Sequence, residues 1–151
     1  MISFVLFALA WRLESTAGLA SITTSHFVRW SIFMLTAVGS IFVLVWSLKS
    51  LPPATRGKDL VTTGAYRYVR HPLYASFLSC LDFGLAILLN NWIFIIWAVL
   101  LHVVWHWNIR SEEKIMLQEF PIEYEKYCKI TGRFVPRIYG LKHNKSITAS
   151  R

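Results

Sequence analysis

Long apolar blocks separated by short polar stretches are the first feature of this sequence. Residues Phe27–Leu48 form one run that carries a single charge. An α-helix rises about 1.5 Å per residue, so such a run is long enough to cross a hydrocarbon core about 30 Å thick. Two further blocks, Leu73–Leu89 and Trp92–Trp107, are separated only by Asn90 and Asn91. Two adjacent amides between apolar runs predict the tight turn of a helical hairpin.

The N-terminal apolar block, Ile2–Trp11, is shorter than the others. It fits a fourth span that extends toward Ile22, an interfacial helix, or part of a longer segment. A cleaved signal peptide is disfavoured, because no positive residue precedes the apolar run. We therefore expect an all-α integral membrane protein with about four transmembrane helices. It would form one domain over residues 1–138, with a flexible tail over residues 139–151.

Composition and charge agree with a membrane protein and also orient it. Hydrophobic residues make up 55% of the chain and charged residues only 16%, whereas soluble domains average about a quarter charged. Of the 16 Lys and Arg residues, two fall in residues 1–48, five in 49–72 and nine in 110–151. The positive-inside rule then places the stretch before the hairpin and the C-terminal stretch on the cytoplasmic side. The net charge of +8 indicates attraction to anionic lipids, and it does not predict nucleic-acid binding because no basic helix stands clear of the membrane.

The densest polar cluster is YRYVRHPLY, residues 66–74, where the hairpin begins. Pro72 suits the first turn of a helix, so Arg70 and His71 lie at a helix N-terminus, where free N–H groups and the helix dipole favour an anion. A positive-inside anchor explains Arg67 and Arg70, but it does not require the histidine and the tyrosines. The cluster therefore predicts either a membrane anchor or a site for an anionic ligand.

Two acidic residues, Glu112 and Glu113, follow the last apolar block closely. They would emerge near the membrane surface, where a carboxylate is usually paired with a cation. The 66–74 cluster lies on the same side of the membrane. The acidic residues further along are explained by the solvated face of an amphipathic interfacial helix.

Polar side chains also occur inside the predicted spans. His102 and His106 lie four residues apart on one helix face, and Arg110 continues the stripe. A haem or metal site would need further histidines in the spans, so packing or acceptor contacts are the favoured interpretation. Asp82 lies mid-span and is expected to have a partner, with His102 or His106 as the nearest candidates. The two cysteines lack the spacing of a zinc site, and no metal site is predicted.

Taken together, LVTTGAYRYVRHPLY, a hairpin of two apolar helices and EEKIML resemble the isoprenylcysteine carboxyl methyltransferase and phospholipid methyltransferase group of integral membrane enzymes. The resemblance covers roughly residues 56–138. It implies S-adenosylmethionine as methyl donor, bound in a cytoplasmic pocket covered by the C-terminal helices. The donor-contacting residues that it implies, position by position, are Lys58, Asp59, Leu60, Val61, Tyr66, His71, Pro72, Leu73, Tyr74 and Glu112.

The chemistry of this donor agrees with these positions. Its α-carboxylate suits His71 or Arg70 at the helix N-terminus, and its α-ammonium suits Glu112. Tyr66 and Tyr74 can line the sulfonium or the adenine. The seven glycines form no GxG pattern, so the fingerprint of a soluble dinucleotide-binding fold is not present.

The resemblance further implies a lipophilic acceptor that enters from the bilayer, either an isoprenylcysteine-like carboxylate or a lipid amine. Arg110 is then the candidate for contact with the polar head of the acceptor. If the acceptor is an amine, Glu113 or His71 is the candidate base. Two positions depart from the pattern of the prenylcysteine enzymes, because Asn108 stands where they have an arginine and Lys58 where a histidine is often found.

Two other functions fit the sequence. A small non-enzymatic membrane protein, binding anionic lipid or acting as an assembly subunit, would account for the basic cluster without a cofactor. A reductase of related topology would bind a nicotinamide cofactor instead. Binding of S-adenosylmethionine separates these hypotheses.

Overall fold

The computed structural model describes residues 2–17, 21–22, 25–52 and 59–137, and these form helices joined by short segments. The helices of this part of the chain are α1 (Ile2–Ala17), α2 (His26–Ser50), α3 (Pro72–Leu89), α4 (Trp92–Asn108), α5 (Arg110–Glu119) and α6 (Pro121–Ile130). A 3-10 turn, Gly64–Arg67, precedes α3, and π-helical turns occupy Ser76–Leu81 within α3. The prediction of an all-helical chain is confirmed for these residues.

Within the described ranges, three helical stretches are long and apolar enough to cross a membrane: His26–Ser50, Pro72–Leu89 and Trp92–Glu119. They correspond to the three long apolar blocks of the sequence. Helix α1 has 16 residues, a rise of about 24 Å, which is shorter than a hydrocarbon core of about 30 Å. The predicted fourth span is therefore not confirmed. The predicted tail, residues 139–151, lies outside the described residues.

Helix α2 begins and ends at sequence signals that can be recognised. The Ser25 hydroxyl accepts a hydrogen bond from the Val28 N–H at 3.4 Å, which is the usual role of a serine at a helix N-cap. The helix ends at Ser50, shortly before Pro52. Proline disfavours helical geometry in the residue before it, so the chain leaves the helix here.

The turn between α3 and α4 is built by the two adjacent asparagines, as the sequence predicts. Asn90 adopts a left-handed conformation, with φ 59° and ψ 32°, which asparagine tolerates better than most residues. The Asn91 side chain then accepts a hydrogen bond from the Ile93 N–H at 3.1 Å and caps α4. The hairpin prediction is confirmed.

Helix α3 packs against both α2 and α4, and α1 packs against α4. The contact between α2 and α3 is close at Gly84. A Cβ atom placed there would lie 1.8 Å from the Thr36 Oγ1 and 2.9 Å from the Thr36 Cβ. Only glycine lets the two backbones approach this closely, as is common where membrane helices pack.

Candidate functional site

A short segment after α6 brings the chain back to the start of α3. The Arg70 N–H donates to the Gly132 carbonyl at 2.8 Å, and the His71 N–H donates to the Arg133 carbonyl at 3.0 Å. Val69 and Gly132 form a parallel bridge. A side chain at Gly132 would lie 1.9 Å from a backbone carbonyl oxygen, so the close approach requires glycine. Backbone hydrogen bonds thus hold the basic cluster to the C-terminal segment.

Glu113 is buried between two arginines. Arg70 donates from Nε to the Glu113 Oε1 at 2.9 Å, and its Nη2 lies 2.9 Å from the same oxygen. Arg133 donates from Nε to the Oε2 at 2.9 Å. The His71 Nε2 lies 3.5 Å from the Oε1, which is long for a hydrogen bond. Each carboxylate oxygen faces a guanidinium group, and this pairing offsets the cost of burying the anion.

The remaining donors of Arg70 bind backbone carbonyls near the end of α6. Its Nη1 donates to the Cys128 carbonyl at 3.3 Å and also to the Thr131 carbonyl. The Arg70 side chain is nearly fully buried. It therefore joins the start of α3 to α5, through Glu113, and to the C-terminal segment.

A second connection to α6 comes from Tyr127. Its hydroxyl donates a hydrogen bond to the Tyr66 carbonyl. Burial raises the pKa of the Tyr127 phenol, so the hydroxyl keeps its proton at neutral pH and stays a donor. The neighbouring Tyr124 is buried, and its ring meets that of Tyr127 edge-on with 6.0 Å between centroids. Helix α6 thus covers the 3-10 turn.

A cavity of about 1180 Å³ lies beside these contacts. Its polar part is lined by residues 59–61, the 3-10 turn, the start of α3, and α5 and α6. The rest of its wall comes from apolar faces of α1, α3 and α4. On α4, Trp97, Leu101 and Trp105 recur at four-residue spacing, so one helix face supplies that part of the wall.

Glu112 meets a group of aromatic rings at the polar part of this cavity. The Tyr74 hydroxyl donates to the Glu112 Oε1 at 2.9 Å. The Tyr74 ring lies with its centroid 5.0 Å from that of Trp105 and 6.0 Å from that of His71. Glu112 and His71 line the same space. A carboxylate of α5 and the cluster at the start of α3 therefore face one common ligand volume.

A family model described as phospholipid methyltransferase matches residues 13–122, which is well over half of the chain. The chain belongs to the phospholipid methyltransferase family. The family resemblance of the sequence motifs is thereby confirmed.

Relatives of this family member include enzymes with different named acceptors. The chain is 29% identical over 137 residues to the nickel-cobalt-cadmium resistance protein NccN of Alcaligenes xylosoxydans xylosoxydans, covering 85% of this chain and 63% of that one. It is 25% identical over 133 residues to the methanethiol S-methyltransferase of Pseudomonas deceptionensis, covering 85% and 50%. It is 33% identical over 95 residues to the protein-S-isoprenylcysteine O-methyltransferase of Schizosaccharomyces pombe, covering 61% and 40%. The chain thus spans less than two thirds of the length of these relatives.

In this phospholipid methyltransferase family member, the predicted donor-site residues that the structure describes all line the cavity. They are Asp59, Leu60, Val61, Tyr66, Arg70, His71, Pro72, Leu73, Tyr74 and Glu112. Lys58 lies outside the described residues. Of the two predicted catalytic residues, Arg110 is exposed on α5 and Glu113 is enclosed by its ion pairs, and neither lines the cavity. All these assigned roles stay predictions.

Besides Tyr124 and Tyr127, which line the cavity, sequence reasoning missed Arg133. It follows α6 in a segment without helical periodicity, so no local pattern marks it as buried or paired. One signal was available, because Glu113 close to the membrane requires cationic partners and Arg133 lies on the same side. The sequence offered no way to choose it over the other basic residues of the C-terminal stretch.

The predicted pairing of Asp82 with a histidine is wrong. Asp82 lines the large cavity. His102 and His106 instead line a separate cavity of about 680 Å³. Their rings pack edge-on against Phe134, with centroid distances of 5.3 and 4.9 Å. The two histidines and Asp82 therefore face different spaces.

Proposed function

We propose that this protein is an S-adenosylmethionine-dependent methyltransferase that acts on a lipophilic acceptor at the cytoplasmic face of a membrane. One observation carries the proposal: a single cavity joins a polar part, with Glu112, His71 and tyrosines, to an apolar part inside the candidate spans. Family membership supports methyl transfer, and two relatives are named methyltransferases. The positive charge of residues 49–72 and 110–151 supports the cytoplasmic orientation.

The residues of the polar part fit this methyl donor. Glu112 offers a carboxylate to the α-ammonium group, and the His71 side chain offers a donor to the α-carboxylate. Tyr66 and Tyr74 offer aromatic faces to the adenine and to the sulfonium. Sites for small ligands commonly enclose roughly 300–1,000 Å³. The volume of about 1180 Å³ therefore has room for an acceptor chain as well.

When bound, S-adenosylmethionine supplies a methyl group whose bond to sulfur breaks as the acceptor lone pair forms the new bond, leaving a neutral thioether. The protein mainly has to align the two ligands and exclude water. The packed rings of Tyr74 and Trp105 support exclusion of water at the junction of the two parts. A carboxylate acceptor needs no base, whereas an amine acceptor must lose a proton. His71 lines the cavity and is the candidate base there, while Glu113, the other predicted base, lies outside the cavity in its ion pairs with Arg70 and Arg133. Arg110 is predicted to contact the acceptor head, although its exposed side chain does not line the cavity.

Donor binding tests this proposal. Replacing Glu112 with Ala removes the carboxylate proposed to hold the ammonium group, a charge-assisted hydrogen bond worth about 1.5–3 kcal/mol. We expect the affinity for S-adenosylmethionine to fall about tenfold or more, with a similar loss for His71→Ala. Calorimetric titration of the purified protein in lipid nanodiscs measures both.

The matched control is Glu119→Gln, which removes a carboxylate from the exposed face of the same helix. This variant should bind S-adenosylmethionine like the unaltered protein. The proposal fails if the unaltered folded protein does not bind S-adenosylmethionine, or if all four proteins bind it equally. Binding of NADPH in a parallel titration would favour the reductase hypothesis.

A further inference from the structure

Asp82 is an acidic residue inside a candidate span and on the wall of the large cavity. On α3, Leu78 and Leu85 line the cavity on either side of it, and Leu101 of α4 contributes to the same wall. Within residues 2–17, 21–22, 25–52 and 59–137, Asp82 forms neither an ion pair nor a hydrogen bond through its side chain. A carboxyl group among apolar side chains at membrane depth is costly unless it has a partner. Because Asp82 lines the cavity, its carboxyl group is available to bond a ligand there.

The local helix geometry brings Asp82 to this wall. The π-helical turns Ser76–Leu81 end immediately before it, and such turns shift the faces of the helix that follows and often occur at functional sites. Tyr74, which marks the polar part through its bond to Glu112, precedes Asp82 by two turns on the same cavity wall. Asp82 therefore lies on the order of 10 Å deeper along the helix axis.

We propose that Asp82 determines acceptor specificity by binding a hydrogen-bond donor, an amine or a hydroxyl, carried by an otherwise apolar acceptor. This inference rests on the proposed methyltransferase function and narrows its substrate class. A carboxylate acceptor with a hydrocarbon tail would either place its anion near Asp82, where like charges repel, or leave Asp82 against bare hydrocarbon. An acceptor that bears an amine or a hydroxyl gives the carboxyl group its missing partner.

Three probes of equal chain length test the preference: dodecylamine, dodecanol and dodecanoate. Their affinities are measured by thermophoresis for the unaltered full-length protein, Asp82→Asn and Asp82→Leu, all in the same nanodiscs. Partition of each probe into the lipid is then the same for every protein, so differences in affinity between variants reflect binding in the cavity. Glu119→Gln controls for the loss of one negative charge outside the cavity.

We expect the unaltered protein to bind dodecylamine or dodecanol at least tenfold more tightly than dodecanoate. Asp82→Leu should lose this preference. Asp82→Asn should keep dodecanol binding but lose most of the preference for the amine, because its amide oxygen still accepts a hydrogen bond without carrying charge. The affinities of Asp82→Asn for dodecanol and dodecylamine thus distinguish an acceptor with a hydroxyl group from one with an amine.

The same preference in Asp82→Leu as in the unaltered protein, or tighter binding of dodecanoate by the unaltered protein, would overturn the inference. S-adenosylmethionine affinity is measured on every variant and should stay within twofold. Loss of S-adenosylmethionine binding from all proteins would refute the proposed function instead, so the two failures are distinguishable. Should Asp82→Leu fail to fold, Asp82→Ala, which also lacks an acceptor oxygen, replaces it and should lose the preference in the same way.

Discussion

Replacing Glu113 with Ala is expected to destabilise the protein by about 3–5 kcal/mol, because removal of one partner leaves buried charges uncompensated. Arg70 would lose the carboxylate that its Nε and Nη2 contact at 2.9 Å, while staying enclosed by backbone carbonyls. Arg133 would lose the same partner, but it is more exposed and regains some hydration. Thermal or denaturant unfolding in detergent measures the change.

The neighbouring Glu112 is the natural control for this prediction. It is exposed, and it accepts a hydrogen bond from the Tyr74 hydroxyl. Glu112→Ala should therefore alter stability by less than about 1 kcal/mol while weakening donor binding. Comparable stability losses for the two glutamate variants would contradict the structural role given to Glu113.

Glu113→Gln separates that structural role from the predicted role as a base. The amide retains the shape and part of the hydrogen bonding but cannot take a proton. If Glu113 acts only through its ion pairs, the loss of activity follows the loss of stability and is partly recovered at lower temperature. If it acts as a base, kcat falls at every temperature while donor affinity stays unchanged.

Gly84→Ala is expected to destabilise the packing of α2 against α3 by about 2–3 kcal/mol. The new Cβ atom would lie 1.8 Å from the Thr36 Oγ1 and 2.9 Å from the Thr36 Cβ. The Thr36 hydroxyl donates to the Phe33 carbonyl at 2.9 Å, so its rotation costs a hydrogen bond. The contact at the Cβ atom cannot be relieved by rotation, and the helices must therefore separate. Unfolding by denaturant in detergent measures the loss.

The chain offers a matched control and a partial rescue. Gly39 lies in α2, and a Cβ atom there would meet nothing within 4 Å. Gly39→Ala should therefore be neutral or stabilising by up to about 1 kcal/mol, through helix propensity alone. In the Thr36→Ala background, the cost of Gly84→Ala should shrink, and a double-mutant cycle gives the coupling. Equal effects at the two glycines would refute the close-packing interpretation.

The elements that local patterns specify were predictable. The long apolar runs predicted the three helices that are long and apolar enough to cross a membrane, and Asn90 and Asn91 predicted the hairpin turn. Both predictions rest on local properties, namely the length of an apolar run and the tolerance of asparagine for left-handed geometry. The residues predicted to bind the donor, where the structure describes them, also line one cavity, and their role stays a prediction.

What the sequence did not reveal depends on contacts between distant segments. The partnership of Glu113 with Arg133 depends on a segment after α6 that returns beside Arg70 through backbone hydrogen bonds. The placement of Asp82 depends on the π-helical turns before it, for which no hydrophobic period gives a signal. Sequence spacing predicts that Asp82 and the helix carrying His102 lie at a similar depth in the membrane. It does not predict the direction in which each side chain faces.

The return of residues 131–133 to the start of α3 has a consequence for biosynthesis. The ribosome makes the hairpin and the basic cluster before it makes Gly132 and Arg133. The carbonyls of these two residues accept hydrogen bonds from the N–H groups of Arg70 and His71. The hairpin is therefore made before the segment that holds its start to the end of α6, and these two hydrogen bonds can form only later. We therefore expect a ribosome-bound chain that stops before Gly132 to leave the basic cluster without these backbone partners, and to bind small ligands in the cavity more weakly than the full chain does.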